Sequence, residues 1–371
     1  MKKIFIILIV LAVGLVACEE VYHPELMNVP NLPVIEARLS GDPAYNYIKL
    51  NYTTRFLDDF LAKDIPNAKI EVLEEGGPVY TAKYALTGTY SFTQPLTEGK
   101  RYKLKVTFDR ETYESSWEML PPRPEINGFH VGPHTLQKYV NNSYGKPILQ
   151  YTPGFQVWVD IPAKEGIKSN LFRWHSILQF INPGSSRMAS SQPAYLKNAS
   201  LIAKADSFIW KSFYQTGIDN TARPARYTQN TAMEKHPLMF NTTNYIAYID
   251  TSEYYPARIR AYGTGWIFEI DQYGLTEHAS VYYQKITDQL KAGGRLFDPI
   301  YSQIQGNMTC TSNPEKQILG IFDLCSVTRH QYFVTNIEYP NIYFHKIEPV
   351  MTIPYEGFSV GVPPPFWQKP R

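Results

Sequence analysis

Two histidines, His130 and His134, stand four residues apart, the spacing that on a helix would aim both imidazoles at one metal ion. Gly132 and Pro133 lie between them and forbid that helical turn, so the pair is expected in a solvated loop without a metal. The carboxylates of Asp58-Asp59 and Glu74-Glu75 are adjacent, and neighbours on an extended chain point to opposite sides, so neither pair makes a convergent acid and base. The sequence contains no nucleophile elbow, no phosphate-cradling glycine loop and no zinc motif. Neither catalysis nor a cofactor is expected. What remains is recognition chemistry. Trp158, Trp174, Trp210 and Trp266 offer faces on which a sugar could stack or a protein partner could anchor. His175 lies on a strand whose one side also carries Arg173 and Gln179. These positions form the candidate ligand-binding set, although a β core uses the same aromatics for packing and a wet sheet face uses the same polar residues.

Cys18 introduces a different chemistry. Lys2 and Lys3, the apolar run Ile4 to Val13, and Gly14-Leu15-Val16-Ala17 before Cys18 have the three-part shape of a secretory signal. The run is too short for a spanning helix, which needs about 20 residues. Leu15-Val16-Ala17-Cys18 resembles the bacterial lipobox, whose cysteine sulfur is acylated before cleavage leaves it as the N-terminus, so residues 1–17 are the expected signal peptide. Acyl chains at about 0.8 kcal/mol per buried CH₂ would make the attachment permanent. Glu19 and Glu20 resemble the acidic signal that carries some lipoproteins to the outer face of the outer membrane, and residues 18–32, with Pro24 and Pro30, read as a tether. In an exported chain, Cys310 and Cys325 are expected to form a structural disulfide. Closing that loop would contribute about 3 kcal/mol in the chain-entropy model. The alternatives are two free buried thiols or a metal pair short of two ligands.

The elements that must carry these residues are mostly strands. Among 371 residues, 14% are aromatic and 28 Pro accompany 22 Gly, a balance that favours short strands joined by turns. Hydrophobic residues at 44%, charged ones at 19% and a mean hydropathy of −0.30 describe a folded chain and exclude a multi-span membrane protein. Lys and Arg number 36 against 34 Asp and Glu, and loss of Lys2 and Lys3 would leave a neutral mature chain, so nucleic acid is not an expected partner.

Residues 33–120 alternate in period two through stretches such as Tyr47 to Tyr52 and Tyr102 to Phe108, and they are expected to form an immunoglobulin-like β-sandwich. Leu120-Pro121-Pro122-Arg123-Pro124 marks a boundary. Residues 125–350 should make a larger β-rich domain, with strands at 155–161, 171–180, 245–249, 257–270, 317–322 and 331–335. The polar stretch 182–244 reads as long loops around a short aromatic segment at 208–210. One amphipathic helix is expected, capped by Thr276, striped with Ala279, Tyr283, Ile286 and Leu290, and stopped by Gly293-Gly294. Residues 351–371 are a Pro-rich and aromatic tail whose Phe366-Trp367 is free to dock on this chain or a neighbour.

Several of these segments look like one family. Gln305-Gly306-Asn307-Met308, then Pro314, Ile318-Leu319-Gly320-Ile321-Phe322 and Ser326-Val327, resemble the C-terminal signature of a Bacteroidota lipoprotein family catalogued as domain of unknown function 4249. The helix around Tyr282-Tyr283, the opening Leu32-Pro33-Val34-Ile35-Glu36 and the Tyr102 to Ser115 hairpin are similar to it as well. The resemblance implies a lipid-anchored outer-membrane or surface protein that works by binding, often beside a TonB-dependent transporter that imports glycans or peptides. It supplies no catalytic residues. Two other classes of function are in view: a structural or adhesive surface lipoprotein, part of a secretion or motility apparatus, and an unrecognised hydrolase with a nucleophile in the 182–244 stretch.

Overall fold

Alternation dictates the strands. Arg101–Phe108 buries every second residue, Tyr102, Leu104, Val106 and Phe108, and leaves Arg101, Lys103, Lys105 and Thr107 toward water. The computed structural model describes residues 31–54, 63–181, 208–213, 225–242, 248–250, 260–291, 303–335 and 359–360. Its first strands are β1 (Pro33–Leu39), β2 (Tyr47–Tyr52), β3 (Lys69–Glu74), β4 (Val79–Leu86), β5 (Thr89–Ser91), β6 (Arg101–Phe108), β7 (Glu111–Ser115) and β8 (Glu118–Met119). Then come β9 (Gly128–Asn141), β10 (Pro147–Ile161), β11 (Ser169–Ile181), β12 (Phe208–Phe213), β13 (Ala225–Gln229), β14 (Met233–Thr242), β15 (Tyr248–Asp250) and β16 (Arg260–Leu275). Helix α1 (Glu277–Lys291), β17 (Met308–Cys310), β18 (Leu319–Thr335) and β19 (Ser359–Val360) complete the described elements. The protein is mainly β with a single α-helix among the described residues, as its composition requires.

One long curled sheet runs β17-β7-β6-β3-β4-β5-β2-β1-β18-β16-β11-β12-β19, and a three-stranded sheet runs β14-β10-β9. The hinge of the large sheet is the parallel pairing of β1 with β18, in which Val34 to Leu39 align with Leu319 to Leu324. The first core fills the curl of β1 to β7, and it is not made by residues 33–120 alone: Met308, Cys310, Phe322 and Leu324 are buried in it beside Ile35, Leu50, Leu104 and Tyr113. A second core lies between the central strands and the three-stranded sheet, where Phe172, Trp174, Phe268 and Ile270 meet Val157, Val159 and Leu238. A third lies under α1, joining Ala279 to Leu171, Tyr273, Leu275, Ile321 and Cys325.

The signature around Gly306 and Gly320 has a packing reason. Gly320 sits at φ +95°, and a Cβ there would come within 2.0 Å of the Ile35 carbonyl oxygen. A Cβ on Gly306 would come equally close, 2.0 Å, to the carbonyl oxygen of Gly320. Only glycine permits that approach. Buried Asn307 then acts as a substitute strand for Phe322: its Oδ1 accepts the Phe322 N–H at 2.9 Å and its Nδ2 donates to the Phe322 carbonyl at 2.9 Å. The proline-rich segment at 121–124 is docked along β18, since the Ser326 and Thr328 hydroxyls donate to the Pro122 and Pro124 carbonyls at 2.5 and 2.8 Å.

Several expectations are corrected. Residues 225–242, read as loop, form β13 and β14, because their few buried side chains, Thr228, Leu238 and Met239, suffice when neighbouring strands supply the rest of the surface. His130 and His134 stand on strand β9. Thr276 precedes α1 and its carbonyl accepts the Ser280 N–H at 2.9 Å, but its buried hydroxyl has no hydrogen-bond partner, so its side chain does not cap the helix. Cys310 and Cys325 are free and buried thiols. The disulfide is absent because Cys310 points into the first core, beside β7, whereas Cys325 lies opposite Leu275 in the core under α1. Most of the 351–371 tail, with Phe366-Trp367, lies outside the described residues.

Candidate functional site

The central strands β11, β16 and β18 present a row of charges on the face away from the second core. Register places Arg173 opposite Asp271 and Asp271 opposite Arg329, a cation–anion–cation row across three strands. Arg329 grips Asp271 in a fork, Nε to Oδ1 at 2.7 Å and Nη2 to Oδ2 at 3.1 Å. Tyr45, from the 3-10 turn Pro43–Tyr45, donates its hydroxyl to the same carboxylate at 3.2 Å and lies under the Arg329 guanidinium, 5.4 Å from its ring centroid. One step along, Gln331 donates to Glu269 at 2.8 Å. Nη1 of Arg329 remains 3.9 Å from Glu269, beyond hydrogen-bond reach, while Arg329 and Gln331 are exposed. Hydrogen bonding to Asp271 raises the Arg329 pKa, and burial next to the same carboxylate raises that of Tyr45, so the guanidinium stays charged and the phenol neutral.

Next to this open row lies a closed one. Arg38 of β1 donates from Nε to Asp323 Oδ2 at 2.8 Å and from Nη2 to Tyr283 of α1, whose hydroxyl in turn donates to Asp323 at 2.9 Å. The Arg38 guanidinium also covers the Tyr273 ring at 4.6 Å. Burial alone would lower the Arg38 pKa, but Tyr283 and Asp323 outweigh it and hold the group firmly protonated. Burial, with Asp323 beside it, raises the Cys325 thiol, which is therefore neutral and a poor nucleophile. The closed cluster clamps β1, β18 and α1 together. The open one presents the exposed Arg329 and Gln331, held by the buried carboxylates of Asp271 and Glu269, and their polar groups suit hydroxyls and amides more than a bare ion.

The tryptophans do not converge. Trp174 is buried between the two sheets, its indole Nε1 without a hydrogen-bond partner. Trp158 lies on the outer side of the three-stranded sheet, edge-on to His134 at 6.2 Å and over Gly132, where a Cβ would come 3.3 Å from its ring. The backbone of His175 is opposite Glu269, that of Trp210 opposite Gln179, and that of Trp266 opposite Leu178 and Val334; their side chains are outside the described residues. Cys18, Glu19, Glu20, Asp58 and Asp59 lie outside the description entirely. Glu74 and Glu75 turn apart to Lys100 at 2.5 Å and Arg101 at 2.8 Å. His130 bonds Asp160 at 2.7 Å, and that carboxyl is held below its ordinary range by the Lys235 N–H first and His130 second.

Arg38, Tyr45, Asp271, Asp323 and Arg329 were not singled out by their sequence spacing. The signal available for them is a charge inside an otherwise apolar strand: Arg38 before Leu39, Asp323 between Phe322 and Leu324, Asp271 after Ile270. Such charges are retained in a core only when paired.

No curated protein and no solved structure matches the chain. A family model described as "Domain of unknown function (DUF4249)" matches residues 19–331, a span that contains the β1–β18 pairing, both charge rows, α1 and the glycine signature. The chain belongs to the DUF4249 family.

Proposed function

We propose that this protein is a lipid-anchored binding protein of the outer membrane, displayed at the cell surface and accessory to a TonB-dependent transporter of glycans or peptides. The observation that carries the reading is Leu15-Val16-Ala17-Cys18 followed at once by Glu19-Glu20. The open row supports a binding role, because its exposed members, Arg329 and Gln331, present polar groups that match sugar hydroxyls and peptide amides while Asp271, Glu269 and Tyr45 hold them in place. Its work is binding, without a chemical step.

The test is affinity purification of a tagged, natively acylated copy from gently solubilised outer membrane, followed by mass spectrometry. A stoichiometric TonB-dependent barrel is expected. Recovery alone, or with secretion or adhesion components, would retire the uptake role and leave the structural one. Incorporation of labelled palmitate, abolished by Cys18→Ser, tests the anchor separately.

A further inference from the structure

Among the described residues, the sheet β14-β10-β9 is three-stranded only at its base. Beyond Gly154, the last residue of β10 opposite β14, strands β9 and β10 pair with each other alone among the described residues, from Thr135 opposite Pro153 out to Asn141 opposite Pro147. A lone two-stranded hairpin is marginal in water unless something covers it. This one carries apolar side chains on both faces. Tyr139 is opposite Leu149 and Tyr151 opposite Gln137 on one face, and Val140 opposite Ile148 and Leu136 opposite Thr152 on the other. Tyr139 is 72% exposed, Tyr151 60%, and Tyr144 at the tip 86%.

The tip is built, not frayed. Asn142 Oδ1 accepts the N–H groups of Tyr144 at 3.0 Å and Lys146 at 2.9 Å, and Gly145 supplies the φ of +74° that closes the turn. Tyr144 is thereby held outward on an ordered loop. Between Pro133 and Gly154 the chain has Lys138 and Lys146 and no Asp or Glu.

We infer that the β9–β10 arm docks into the headgroup region of an anionic lipid surface. A groove on a protein would cover one face of the hairpin, whereas a lipid interface surrounds both. Tyrosines set at the polar–apolar boundary are the side chains that such an interface favours, and lysines reach from it to phosphates along their apolar stems. Protein interfaces, by contrast, are depleted in Lys and enriched in Arg, and the arm has no Arg. The positive charge, with no carboxylate within the arm itself, complements an anionic surface. The inference does not require acylation at Cys18. With that anchor in place, the arm is a second contact that fixes how the body faces the membrane.

The experiment is flotation of the chain from Glu19 to Arg371, which lacks Cys18 and any acyl group, with phosphatidylethanolamine–phosphatidylglycerol vesicles. The chain should float, and salt should weaken it. Tyr139→Ser/Tyr144→Ser/Tyr151→Ser should lower partitioning about tenfold or more, while Tyr47→Ser/Tyr84→Ser, exposed elsewhere, should not. Should the triple variant not fold, Tyr144→Trp in the unaltered arm still reports: its fluorescence should shift to the blue with vesicles and be quenched by brominated acyl chains. A chain that stays in the dense fraction, a triple variant that floats equally well, or an unshifted Tyr144→Trp emission overturns the inference. Arm-dependent capture of a barrel without flotation also overturns it, in favour of a protein partner. A chain that floats but takes no palmitate keeps the arm and retires the anchor, and a palmitoylated protein whose acyl-free form does not float does the reverse.

Discussion

Arg38 and Asp323 are 285 residues apart in sequence and directly opposite each other in the parallel register of β1 and β18, with Nε 2.8 Å from Oδ2 and both side chains buried. Such a pair is dear to break and cheap to replace, since removing one partner strands the other charge away from water. Arg38→Met or Asp323→Leu alone should cost about 3–5 kcal/mol, and the double variant Arg38→Met/Asp323→Leu should recover much of that. Chemical denaturation of the two singles and the double, read as a double-mutant cycle, checks it; additive losses would mean that the pair is not coupled.

Asn307 should be as sensitive for a different reason. Asn307→Ala leaves the Phe322 N–H and carbonyl without partners in a dry core and should cost about 3 kcal/mol. Asn307→Asp should cost more, because a carboxylate cannot donate to the Phe322 carbonyl and would face Glu118, which now accepts from Asn307 Nδ2 at 3.1 Å. Melting temperatures in the order wild type, Ala, Asp would bear this out.

The free thiols give a chemical prediction. A maleimide should leave Cys310 and Cys325 unlabelled in the native protein and label both once it unfolds, and reductant should not move the melting temperature. Mass spectrometry of an alkylated digest would reveal a crosslink between them if one existed.

His330 sets a dependence on acid. Burial against Tyr332 and Gln272 lowers its pKa to about 4, with Asp271 opposing the shift weakly. The unfolded chain, near 6.5, takes up the proton first, so this contribution is complete above about pH 6.5 and is lost as pH falls toward 4, at most about 3 kcal/mol in all. His330→Gln should flatten the stability profile between those limits; an unchanged slope would assign the acid sensitivity to other groups.

Residues 33–120 expressed alone should not fold to a stable sandwich, since Met308, Cys310, Phe322 and Leu324 complete their core. The fragment's heteronuclear NMR spectrum should be narrow in amide dispersion. A dispersed spectrum would show that the first core closes without its C-terminal contributors.

Local pattern carried the strands. Tyr47 to Tyr52 and Tyr102 to Phe108 alternate so regularly that their buried faces could be read from the letters, and the stripe Ala279 and Tyr283 marked α1. Partners far apart in sequence were not legible in that way. Nothing near Val34 says that it will align with Leu319, and nothing in Cys310 or Cys325 says that each will enter a different core. The open charge row was hidden because Glu269, Asp271, Arg329 and Gln331 look like the wet side of two strands until register brings them together. Trp158 and Trp174, by contrast, stood out as residues yet lie on different sides of the three-stranded sheet.

The pairing of β1 with β18 also sets an order of events. The first strand of the fold is synthesised nearly three hundred residues before the strand that flanks it, so through most of the chain's production β1 has only β2 as a neighbour and presents an open edge carrying an uncompensated Arg38. Closure waits for the segment from Gly306 to Leu324, where Asn307, the two glycines and Asp323 arrive together. The family signature is in this sense a latch: a segment made late in the chain is the one that locks the first.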